Sequence, residues 1–174
     1  MKRVSSQLIF CSPYNILRNC VLELDEHGVL TQVIDLQNQQ SETHQTLFYD
    51  GIISNGIVSL KMELTDNELS NIKSTFNFFD FSVPIHFDSN SEKPLLVDFG
   101  TNDIKIFNQL LRIHYKLFIG MDFFEFLTAC CFLPLQILNR AEFIEINHKP
   151  NLLIWKRLNL IEKRITPITT VEYL

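Results

Sequence analysis

Val21-Leu22-Glu23-Leu24-Asp25-Glu26-His27-Gly28-Val29-Leu30-Thr31-Gln32-Val33 reads as two short strands joined by a tight turn. Aliphatic residues crowd both arms, and Gly28 supplies the positive φ that tight or bulged turns require. The returning arm extends from Val29 to Leu36. Outward from this hairpin, Val4 to Phe10 precedes it as a further strand, while the polar run Gln37 to Gln45 has no apolar face and reads as a loop. Leu47 to Tyr49 and Ile52-Ile53 add two more extended pieces, separated by a turn at Asp50-Gly51 and followed by another at Asn55-Gly56. Gly56 to Leu64 is expected to be a strand, since Leu60, Met62 and Leu64 would share one face and Lys61 and Glu63 the other.

Helical signals come later. Thr65 and Glu68 stand at capping-box spacing, so a short helix is expected to start there. An aromatic extended stretch from Phe76 to Phe87 is interrupted by Pro84, which favours an edge strand or an irregular segment, and Ser89 to Lys93 reads as a loop. Leu95 to Phe99 reads as a buried strand running into Gly100-Thr101-Asn102-Asp103. From Ile104 the apolar period lengthens: Phe107, Leu110 or Leu111, His114 or Tyr115, and Phe118 mark an amphipathic helix. A second helix is expected from Asp122 to about Leu138, bent by Pro134 and stopped by Asn139 in a left-handed cap. Strands return at Phe143 to Ile146, Leu152 to Trp155 and Thr169 to Tyr173. The class is therefore α+β.

With 174 residues the chain forms one domain and can bury a core without disulfides or a structural metal. Its net charge is −5, and the basic residues cluster no further than the pairs Lys2-Arg3, Lys156-Arg157 and Lys163-Arg164, which argues against nucleic acid as a partner. Leu8 to Phe10 is too short for a signal-peptide core. Phe126 to Leu138 is shorter than the roughly 20 residues of a membrane span and contains Pro134 and Gln136, so no membrane partner is expected. Cys11, Cys20, Cys130 and Cys131 show no C-x-x-C spacing and read as core thiols of a reduced, cytoplasmic setting.

Three stretches, in order, resemble the amidohydrolase superfamily, in particular its deaminase and chlorohydrolase-like branch. Leu17 to Val33 is similar to that family's opening hairpin, and Gly51 to Leu64 resembles the entry into its first barrel strand. Leu95-Leu96-Val97-Asp98-Phe99-Gly100-Thr101-Asn102 is similar to the last barrel strand, and Cys130 to Asn139 stands where the family has a helix with an internal proline. Ile146 to Trp155 resembles the return of the chain to its small sheet domain. The resemblance implies a β-sandwich built from both chain termini (the composite domain of metallo-dependent hydrolases), with residues 1–60 and 141–174 as its halves. Residues 61–140 would be a barrel remnant of two helices and a short parallel strand pair. A full (β/α)8 barrel needs about 200 residues or more, so strands Ile57 to Leu64 and Leu95 to Phe99, first and last in the parent barrel, are expected to lie side by side.

The family's metal centre requires imidazoles at alternating positions of the first strand and a carboxylate after the last. By the resemblance those positions are occupied here by Lys61, Glu63 and Asn102, so no metal and no cofactor are expected. His27, His44 and His148 fall in turns or loops, His114 on a helix and His86 in the aromatic stretch; surface or capping roles are the expectation for each. Asp98, Asp103, Glu63 and Glu125 read as strand or cap positions and Cys130-Cys131 as core. There is no G-x-S-x-G elbow and no glycine-rich phosphate loop. Two function classes stay open. One is a non-catalytic amidohydrolase-like remnant that binds a protein partner or itself, for which 15 phenylalanines offer apolar surface. The other is a hydrolase of carbon-nitrogen bonds with a metal-free site using Lys61 and Glu63 as acid and base.

Overall fold

A computed structural model describes residues 1–38, 45–80, 93–118, 120–139 and 144–174. β1 (Lys2–Ser12) is paired along one edge by two short antiparallel strands in succession, β2 (Asn15–Arg18) and β3 (Cys20–Leu24). β3 returns through the expected hairpin into β4 (Leu30–Asp35), with Gly28 at φ +80 and the Asp25 carboxylate accepting the N–H groups of His27 and Val29 at 2.8 Å each. Along the other edge of β1 lies β5 (Thr46–Asn55), parallel to it. The expected turn at Asp50-Gly51 is instead a bulge within this one strand: between the pairs Ser6↔Tyr49 and Leu8↔Ile52, β5 carries an extra residue.

The chain then leaves the sheet. A single helical turn, α1 (Leu60–Glu63), is followed by α2 (Asp66–Thr75), which starts with the Thr65/Glu68 capping box. β6 (Asn77–Asp80) and β7 (Leu95–Asp98) pair in parallel as a separate two-stranded sheet. α3 (Ile104–His114) carries an Asp103 cap and continues as a short 3-10 turn. The last helix begins at α4 (Phe123–Leu127), widens into a π turn over Thr128–Phe132, and ends as α5 (Leu133–Ile137). Pro134 explains the π turn, since it has no N–H to offer the preceding turn and its ring needs room there. Asn139 ends the helix at φ +52, as its cap position predicts. β8 (Leu152–Lys156) and β9 (Thr170–Tyr173) rejoin the large sheet, whose order is β4-β3-β1-β5-β8-β9 with β2 also on β1.

Two facing sheets were expected, whereas the pairings run unbroken through all seven strands. The sheet curls. Leu30 donates to the His148 carbonyl (2.8 Å) and Asn147 donates to that of Leu30 (2.7 Å), so the segment just before β8 meets the start of edge strand β4. This closure takes the place of the strand expected at Phe143 to Ile146; Ile144 instead packs into the enclosed core with Val4, Ile9, Leu22, Leu30, Ile53 and Ile154, and Phe143 lies outside the described residues. The opposite face of the sheet carries Phe10, Ile52, Leu153 and Trp155 against α3, α4 and the π turn. Ile52 and Ile53 face different cores, as do Ile154 and Trp155, and a strand buried on both faces is apolar without alternation. All four cysteines are buried and none forms a disulfide, and burial, with Cys20 nearby, pushes the Cys11 thiol up to about 12. Among the described residues no helix is long and apolar enough to cross a membrane.

Candidate functional site

The parallel pair positions the site. β6 and β7 run in register from Asn77↔Leu95 to Asp80↔Asp98, so two aspartates end side by side at the carboxyl ends of neighbouring strands. Phe79 and Val97 turn to the core shared with α3 and α4, while Phe78 and Leu96 pack with Leu60 of α1 and Leu69 of α2. By the alternation of strand side chains, Asp80 and Asp98 follow Phe78 and Leu96 onto the α1 side. Both are buried, Asp98 completely.

These groups decide the local structure around them. One oxygen of Asp98 accepts the Lys61 N–H (2.8 Å) and the other the Gly100 N–H (2.8 Å). Asn102 Oδ1 accepts the Ser59 N–H at 2.7 Å. The free N–H groups at the start of α1 are thus capped from β7 and the turn after it, and a strand over Ile57 to Leu64 is replaced by a helical turn. That is a correction of consequence. In a strand Lys61 and Glu63 would share a face, but two residues along a helix they point about 200° apart. Lys61 leans back over the strand ends, its Nζ 3.6 Å from Asp80 Oδ2, and Glu63 is exposed on the other side of the turn. The partner of β7 is β6, and among the described residues the segment Ile57 to Leu64 meets β7 through the Asp98 cap and the packing of Leu60 on Leu96 rather than through a strand ladder, so the expected first-to-last strand pairing is not formed.

Of the residues singled out, Lys61 and Asn102 come to this corner and Glu63 does not. Asp80 carried no signal beyond its place in an aromatic run, and Asp98 reads from sequence as an ordinary strand residue; both became site residues only through β6–β7 pairing. His27 and His148 are exposed in turns, and His44 and His86 lie outside the described residues. Burial raises the Asp98 carboxyl above the usual aspartate range and the neighbouring Asp80 charge adds to this, against the lowering by the Gly100 and Lys61 N–H groups. Among the described residues no three His, Cys, Asp or Glu side chains gather as a metal would need, so the donor set does not fit the divalent centre of the resembled family.

Asp98→Ala leaves two N–H groups without their acceptor and should cost about 1–3 kcal/mol, read from urea midpoints at neutral pH. The sign of the pH dependence follows from the raised carboxyl. The pH-linked part of the Asp98 contribution is fully present below its unfolded value of 3.8 and is lost as pH rises through the raised folded one, leaving the hydrogen-bonded part at neutrality. The stability gap between wild type and variant should therefore be widest in acid and narrow towards neutrality; a gap that widens with pH would contradict the raised carboxyl.

A cleft of about 490 Å³ lies between α3 and the β8–β9 end of the sheet, and a smaller one of about 120 Å³ lies beside Phe123, Phe124 and Lys163. Neither is lined by Lys61, Asp80 or Asp98. No family model, curated protein or solved structure matches this chain.

Proposed function

We propose that the chain is a non-catalytic relative of the amidohydrolases and works by pairing with a second copy of itself. One observation carries the first half: the side chains at the would-be reactive corner are spent on the fold. Asn102 holds the Ser59 N–H, Asp98 holds those of Lys61 and Gly100, and Asp80 faces Lys61. The opening hairpin and the entry of both chain ends into one sheet support the composite-domain reading. Metal analysis after purification without chelators tests it, and one equivalent of zinc or iron per chain would overturn it.

The surface of α3 supports the second half. Ile106 and Ile113 of α3, seven residues apart as in a two-helix seam, and Leu117 in the 3-10 turn that follows form an exposed apolar stripe beside the buried Phe107 and Leu111, with Leu110 leaning onto the core at its edge. Ile106, Ile113 and Leu117 are 46%, 68% and 44% exposed. Asp103 caps the start of α3 and Lys116 stands just past its end, so two copies packed antiparallel bring opposite charges together on a two-fold axis. Light scattering should give twice the chain mass, and Ile113→Glu should return a monomer with an unchanged melting temperature. A wild-type monomer at high concentration would sink the pairing.

A second reading is a metal-free hydrolase of carbon-nitrogen bonds. The observation favouring it is the raised Asp98 carboxyl beside Asp80 and Lys61 at the carboxyl ends of parallel strands, the end where (β/α)8 enzymes keep their chemistry. Ammonia released from an aminopurine or aminopyrimidine, and abolished by Lys61→Ala, would favour this reading over the first.

A further inference from the structure

We propose that the cleft between α3 and the β8–β9 end of the sheet binds the phosphate group of a small organic phosphate monoester. Two arginines, Arg112 and Arg157, line this one concavity, and the described lining contains no carboxylate. Neither guanidinium has a hydrogen-bonding or ionic partner among the described residues. In a chain of net charge −5 this is a local concentration of positive charge facing an open volume. Each guanidinium presents a planar fork of donors that matches two phosphate oxygens. A phosphate monoester carries close to two negative charges at neutral pH, which suits two arginines better than the single charge of a carboxylate.

The walls are built. The Asn108 side chain donates to the Val171 carbonyl and accepts its N–H, both at 2.8 Å, and so fixes the spacing of α3 and β9. Arg157 is held at φ +59, a conformation that costs a non-glycine residue energy, by the Thr166 and Thr169 hydroxyls, which donate to its carbonyl at 2.8 and 3.3 Å. That contact fixes the backbone from which the Arg157 side chain leaves beside the cleft. About 490 Å³ is more than inorganic phosphate fills and lies within the range of small-molecule sites. Ile168, 62% exposed, forms an apolar wall for the organic part.

Phenyl phosphate is the probe, titrated into the full chain by calorimetry with inorganic phosphate and benzoate in parallel. The expected order is phenyl phosphate tightest, with affinity falling as salt rises. Arg112→Ala and Arg157→Ala should each weaken it about tenfold or more. Arg→Lys at either position keeps the charge but loses the fork and should fall between. Because both side chains stand at the surface, melting temperatures serve as the folding control and should not move. Absence of phenyl phosphate binding to wild type, tighter binding of benzoate, or binding that survives both alanine replacements together would overturn the site.

Discussion

Gly51→Ala should remove a large part of the stability of this protein. Gly51 sits in the β5 bulge at φ +145, and a Cβ there would lie 1.9 Å from the Trp155 carbonyl oxygen and 3.0 Å from its carbon. The atom it meets is backbone, in the strand that pairs with β5, so no side chain can rotate away. Relief requires parting β5 from β8 in the middle of the sheet, with both cores pulled along. A cost of about 4 kcal/mol or more is expected, against a typical total of about 5–15 kcal/mol. Urea unfolding followed by far-ultraviolet circular dichroism measures it. Gly120→Ala is the matched control, since a Cβ at Gly120 meets nothing within 4 Å, and its midpoint should barely shift.

The second large loss is expected at Trp155. It is fully buried, and its ring meets Phe107, Phe123 and Phe126 edge-on at centroid distances of 5.7, 5.5 and 5.9 Å. Its Nε1–H donates to Ser54 Oγ at 2.8 Å, and the Ser54 hydroxyl donates onward to the Asn55 carbonyl. Trp155 therefore ties the sheet to α3 and to α4 at once. Trp155→Ala should cost about 3–5 kcal/mol. Trp155→Phe keeps most of the ring contact and strands no donor, because Ser54 loses only a hydrogen bond it accepted; a loss of about 1–3 kcal/mol is expected. It is the chain's one tryptophan, so the variants have to be followed by circular dichroism, and equal losses for Ala and Phe would show that the indole hydrogen bond, rather than the packing, dominates.

Features that depend on a few neighbouring residues were legible. The Val21 to Val33 hairpin needs only its arms and Gly28, the start of α2 needs only Thr65 and Glu68, and Asn139 ends its helix as Asn residues do. The continuous apolar runs at Ile52-Ile53 and Leu152 to Trp155 were legible as strands because burial on both faces removes alternation. The error at Leu60 to Leu64 has the opposite origin. The alternation there is real in the sequence, but the N–H of Lys61 finds its acceptor on Asp98, 37 residues away, and that contact turns the backbone.

The sequence by itself determined the α+β class, the opening hairpin, the strands at Leu152 to Trp155 and Thr169 to Tyr173, the helices after Ile104 and the burial of the cysteines, because hydrophobic period, caps and turn residues act over one or two turns of chain. Only the tertiary structure decided that the strands of both chain ends join in one curled seven-stranded sheet, that Asp80 stands beside Asp98, that Lys61 and Glu63 part company, and that Arg112 and Arg157 share a cleft. Each of these rests on contacts between residues far apart in the chain, and the hydrogen bonds and packing gained there outweigh the weak local preference of a short segment.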